Sequence, residues 1–123
     1  MKYEEITRRI IGCAMKVHSN LGNGFQEVNY QRAIIIEMNL DRLNFEREKA
    51  MKIFYKCQKI GTIRVDFFVD GKIMAELKAV IKIEDVHLAQ AENYLEAYNI
   101  ETGLLVNYGS RSLEFKRIFN NSK

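Results

Sequence analysis

Asp66, Glu76 and Lys78 have the residue types and spacing to do chemistry, in the arrangement Asp66-x9-Glu76-x-Lys78. They sit in two adjacent stretches, Ile60–Val69 and Lys72–Val80, in which every odd position from 63 to 79 except Gly71 is apolar. Even positions hold Arg64, Asp66, Asp70, Lys72, Glu76 and Lys78. Strands alternate their side chains between faces, so the pattern predicts a hairpin with one core face and one charged face. Two carboxylates and a lysine on one face point to a divalent-metal site for phosphodiester hydrolysis. Magnesium or manganese suits hard oxygen ligands: Asp66 and Glu76 supply two, and the carbonyl of Leu77 can supply a third. Lys78 is then placed to orient or deprotonate the attacking water, or to neutralise the scissile phosphate.

The elements that must position this set read as α-α-β-β-β-α-β-β. Ile6, Ile10, Cys13, Ala14, Val17 and Leu21 recur at helical spacing from Glu4 to about Asn20, and Gly22-Asn23-Gly24 ends that helix. A second helix is predicted over about Phe25–Met38, with Tyr30, Ala33, Ile34 and Met38 inward. A strand over about Phe45–Lys56 precedes the hairpin. A two-residue Asp70-Gly71 loop would pair odd residues with even ones; keeping the faces intact requires an odd-length loop or a one-residue bulge, and with it a bent strand. A helix follows over about Asp85–Tyr98, with Asp85 as the expected N-cap, then strands over Gly103–Tyr108 and Ser112–Phe119. A three-stranded meander, a crossover helix and further strands make a mixed sheet flanked by helices.

Composition sets the limits. The 123 residues fit a single domain, 1–123, with no proline, repeat, low-complexity tract or linker to divide them. No apolar run approaches the ~20 residues that span a bilayer. Met1–Ile10 is charged and lacks a signal-peptide core, so a cytoplasmic location with no membrane partner is expected. Cys13 and Cys57 lack metal-ligand spacing and read as free thiols, and a structural zinc site is not expected. The net charge of +3 is compatible with nucleic acid; the basic residues read as spread along the chain rather than gathered into an arm.

The trio resembles the signature of the PD-(D/E)XK nuclease superfamily, an Asp followed by (Asp/Glu)-x-Lys on neighbouring strands of an α-β-β-β-α-β core. Gly24-Phe25-Gln26-Glu27-Val28-Asn29-Tyr30 is similar to the motif of the GxxExxY proteins, a branch of that superfamily. Also similar are Glu76-Leu77-Lys78-Ala79-Val80, His87 followed by Gln90 and Tyr94-Leu95, and Gly103-Leu104-Leu105-Val106-Asn107-Tyr108-Gly109. The departures are Val65 where a proline often precedes the Asp, and Asn23 in place of a loop proline. The resemblance implies Asp66 and Glu76 as metal ligands, Lys78 as the catalytic lysine, Glu27 as a further acid and Gln90 beside the catalytic cluster. It implies a nuclease, with DNA as the expected partner.

Each assignment has a plainer counterpart. Glu76-x-Lys78 alone would be a solvated strand face. Glu27 is also suited to a helix N-terminus, and Gln90 to a buried amide. Tyr30 and Tyr94 read as core aromatics with a tethered hydroxyl, His87 as a histidine at a helix start, and His18 as structural. Two other functions remain open: a non-catalytic nucleic-acid-binding or scaffold module, and a hydrolase of a smaller phosphate compound. Without a separate DNA-reading module, low sequence specificity, a homodimer or help from a partner protein is expected.

Overall fold

The computed structural model describes residues 3–120. The elements are α1 (Glu4–Leu21), α2 (Glu27–Leu40), β1 (Phe45–Tyr55), β2 (Gln58–Val69), β3 (Ile73–Lys78), α3 (Asp85–Ala97), β4 (Thr102–Asn107) and β5 (Glu114–Phe119). This is the expected order. The five strands form one sheet in the order β1-β2-β3-β4-β5. Only β3 and β4 pair in parallel, which requires the α3 crossover between them. The fold is α+β, a mixed sheet covered by helices, as the periodicities predict. No helix among the described residues is long and apolar enough to cross a membrane.

One expectation is corrected. The β2–β3 hairpin does not have one core face and one charged face, because helices cover both sides of the sheet. Ile10, Val17, Ile34 and Met38 pack with Phe67, Ile73, Leu77 and Val106 in one cluster. Met74 and Leu105, on the opposite parity, pack with Ala91 and Leu95 of α3 in a second. A strand buried on both sides reads as a near-continuous apolar run, and Ile73–Leu77 is buried throughout. Glu76 therefore stands in a buried strand and not on a solvated one.

The turn prediction holds. Val69 pairs with Ile73, leaving a three-residue loop in which Asp70 and Gly71 have φ of 54° and 64°. The odd length keeps odd positions opposite odd ones. The α3 cap differs by one residue. Glu84, not Asp85, is the N-cap, and its N–H donates to His87 Nδ1 at 2.9 Å. That contact makes His87 a capping group.

β1 and β2 form a long hairpin. β2 meets β3 only from Phe67 onward, so residues 58–66 border β1 alone. Lys49–Val65 carries five of the nineteen Lys and Arg and none of the sixteen Asp and Glu. It holds +5 and leaves the remaining residues at −2. Fourteen of the nineteen basic residues lie elsewhere along the chain, as expected; what sets this stretch apart is that it has no acidic residue to offset its five.

Candidate active site

The β2–β3 ladder stops at Phe67↔Ala75. At the next rung the side chains of Asp66 and Glu76 replace the backbone bonds. The Asp66 N–H donates to Glu76 Oε1 at 2.8 Å, and the Leu77 N–H donates to Asp66 Oδ2 at 2.7 Å. Each carboxylate thus satisfies a donor that the splayed strands would otherwise leave unpaired. The β1 side is irregular here too: the pairing skips Glu48, which lies opposite Asp66 and has a φ of 47°. Val65 packs in the α3-side cluster and Phe67 in the other, so β2 passes from one core to the other at Asp66.

The reciprocal lock concentrates negative charge in a poorly hydrated place. Burial, followed by the charge of Asp66, pushes the Glu76 carboxyl up to about 8. Burial also raises Asp66, against the pull of the Leu77 N–H, Lys78 and Gln31. Glu27, in the first turn of α2, is raised by burial and by the charge of Asp66. Desolvation and like charge both disfavour the ionised carboxylates, and nearby positive charge reverses that.

Helices bring the remaining groups to the junction. From α3, Gln90 accepts a bond from Lys78 Nζ through its Oε1 at 3.4 Å. Tyr94, one turn on, is raised by burial and by the charge of Glu76. From α2, Gln31 Nε2 donates to Asp66 Oδ1 at 2.8 Å. Gln31 was not among the candidates, although its spacing of four from Glu27 places both on one helix face. Glu48 was also missed. Its charge raises Asp66, but nothing in the β1 periodicity marks a left-handed residue there.

Other motif residues hold the frame. Tyr30 donates to the Gly22 carbonyl at 2.6 Å and accepts from the Phe25 N–H at 3.1 Å, tying down the loop that leads into Glu27. Its ring stacks on Tyr108 at 4.4 Å and 3°. Asn107 bonds both polar groups of Val80, fixing the chain just beyond Lys78. A Cβ on Gly109 would collide with the Val80 backbone, so glycine is required there. His18 contacts the Ser110 carbonyl at 3.0 Å, in keeping with a structural role.

The structure therefore brings Asp66, Glu76, Leu77, Lys78 and Gln90 together, with Glu27 near enough to feel the charges of Asp66 and Lys78. Among the described residues no three His, Cys, Asp or Glu side chains are gathered closely enough to hold a metal ion alone. Glu27 does not close a three-carboxylate cage. The donor set still fits magnesium or manganese, which commonly use one or two carboxylates and leave other positions to water and substrate phosphate. The neighbouring carboxylates also call for positive charge beyond Lys78.

No curated protein matches this chain. The solved crystal structure of SSO0001 superposes with a TM-score of 0.50 at 18% identity, covering 93% of this chain and 77% of that one. That likeness concerns the fold alone. The model of one nuclease family matches residues 4–118, from the start of α1 into β5. With that match spanning the carboxylate lock, the lysine and the crossover helix, the chain belongs to the PD-(D/E)XK nuclease superfamily.

Proposed function

We propose that this protein is a metal-dependent nuclease of the GxxExxY branch, hydrolysing phosphodiester bonds in DNA. The observation that carries this reading is the pair of bonds from Asp66 N–H to Glu76 and from Leu77 N–H to Asp66, with Lys78 one residue farther along β3. Carboxylates needed only for stability would gain from pairing with cations; here two lie together in a buried junction.

Asp66 and Glu76 would hold magnesium or manganese, with the Leu77 carbonyl as a third oxygen and Glu27 as a further acid near the site. The ion would act as a Lewis acid toward the phosphate and lower the pKa of water. Lys78, steadied by Gln90, presents a compact positive charge where a scissile phosphate or its attacking water would lie. Gln31 fixes one oxygen of Asp66 and so aims the other. The site lies at the protein's surface end of β3, where Lys78 is partly exposed and a polymer can reach it.

The test is cleavage of plasmid and linear DNA with and without magnesium or manganese. Wild type should cut only with metal, and Lys78→Ala should lose at least about a thousandfold in rate, equivalent to about 4 kcal/mol of barrier. Tight DNA binding with no metal-dependent cleavage would instead identify a non-catalytic module. Hydrolysis of nucleotides but not polymers would identify a small-phosphate hydrolase.

A further inference from the structure

We infer that the β1–β2 ribbon is a DNA-docking arm that enters the major groove of a duplex and leads it to the Asp66 junction. The inference rests on the nuclease reading for its choice of a phosphodiester polymer, but its own support is separate. Pairing continues from Lys49↔Val65 to Tyr55↔Gln58 with no third strand beside it among the described residues, closed by the two-residue turn Lys56-Cys57.

Paired residues share a face. Ala50↔Arg64, Lys52↔Thr62 and Phe54↔Lys59 therefore put three cations and an aromatic ring on one side. The other side carries Met51 and Ile63, which pack on the cluster under α3. The cationic side is thus turned away from the core. The register slips by one between Ile53 and Phe54, leaving Ile60 as an extra residue. Phe54, Tyr55 and Ile60 are all more than half exposed near the tip, and Lys56 Nζ stands 5.6 Å from the Tyr55 ring centroid.

Charge selects the occupant. A second copy could in principle add a strand to the free edge of β1, but it would bring five more cations and no carboxylate within the same stretch. A phosphate backbone is complementary to that surface. A two-stranded ribbon fits the B-form major groove, about 12 Å wide, whereas the A-form RNA groove is too narrow to receive it. Arg64 lies two residues before Asp66, so DNA held along the ribbon would run toward the carboxylates.

The experiment measures binding of a fluorescent DNA duplex of about 20 base pairs to the full chain, with metal chelated, across a salt series. Lys52→Gln/Lys59→Gln should weaken binding at least about tenfold near 0.1 M salt and reduce the slope of log affinity against log salt by about 2. The control pair Lys16→Gln/Lys116→Gln, equal in charge change and placed on α1 and β5, should lose less than about threefold. An unchanged thermal midpoint in both variants establishes that folding is intact. The inference is overturned if wild type does not bind, if both pairs lose affinity equally, or if an RNA duplex binds as tightly as DNA. It is also overturned if the ribbon variant changes oligomeric state in sedimentation. Failure of the nuclease reading would look different: wild type would bind DNA through the ribbon yet, given metal, hydrolyse neither DNA nor bis(p-nitrophenyl) phosphate.

Discussion

The two halves of β2 differ in almost every physical respect. From Gln58 to Arg64 the strand has one neighbour, no acidic residue and mostly exposed side chains. From Phe67 to Val69 it lies between β1 and β3 with Phe67 and Val69 buried, and at Asp66, where that region begins, its one charge faces another of the same sign. The first half can present cations at little cost because water solvates them. The second half holds Asp66 beside Glu76 of β3 where water is scarce, and burial and like charge together make a nearby cation favourable there. On the proposed reading, the first half attracts the polymer and the second half carries the chemistry.

The sharpest way to break this division is Asp66→Asn, which should separate the two functions. Cleavage should fall by at least about a thousandfold, since one of the two charged ligands proposed for the metal is lost. DNA affinity without metal should hold or rise, because a negative charge leaves the path of a polyanion. Without metal, thermal stability should also hold: the Asn oxygen can still accept from Leu77, and the Gln31 amide can turn to accept from the new NH2. A variant that binds DNA as poorly as it cuts would erase the distinction between the halves.

The pH dependence sharpens the same comparison. Glu76 is held at about 8, well above its unfolded value, so the folded protein keeps a proton that the unfolded chain releases. Metal-free stability should therefore fall as pH rises from the ordinary carboxylate range toward 8, then level off. Metal affinity should move oppositely, tightening about tenfold per pH unit between about 6 and 8 while one proton is displaced. Calorimetric titration with manganese at several pH values measures this directly. Glu76→Gln should abolish that binding and flatten the stability profile. A wild-type metal affinity independent of pH would show that Glu76 is already ionised.

A smaller effect is expected from Gln31→Ala. Its loss removes a bond that holds Asp66 down, so the carboxyl should rise further. Cleavage should slow by about ten- to a hundredfold, the usual range for a residue that orients a metal ligand. The acid limb of the pH–rate profile should shift to higher pH, a change that a merely structural role would not produce. Ribbon-mediated DNA binding should be unaffected.

How far this was legible in the sequence follows from the range of each interaction. Element order and the Asp70-Gly71-Lys72 loop depend on local periodicity and parity, and both are readable from a single strand's residues. The trio was readable because two alternating strands with a turn place even positions together. The burial of Glu76 was not, because it depends on α3 packing over Met74 and Leu105 after a crossover. Gln31 was missed for a similar reason: its bond to Asp66 joins residues 35 apart, and an amide in a helix carries no periodic signal. The basic arm is a different case. Its charges were visible, but Lys52, Lys59 and Arg64 become one surface only once Phe54↔Lys59, Lys52↔Thr62 and Ala50↔Arg64 are known to pair.

The smallest effect concerns the ribbon's own stability. Its turn residues Lys56 and Cys57 have φ of 48° and 64°, a conformation that twists correctly for a two-residue hairpin but strains residues with a Cβ. Cys57→Gly should relieve part of that strain, by about 0.5–1 kcal/mol. The gain belongs to the ribbon alone, because beyond Met51 and Ile63 its side chains leave the core. Elements with few buried contacts open without global unfolding. Amide exchange at Tyr55 and Gln58 should therefore slow about two- to fivefold while the thermal midpoint stays put. If the midpoint rises instead, the ribbon folds as one cooperative unit with the junction. The two halves of β2 would then differ in charge and exposure but not in stability, and DNA docking on the tip would tighten the metal site through the strand they share.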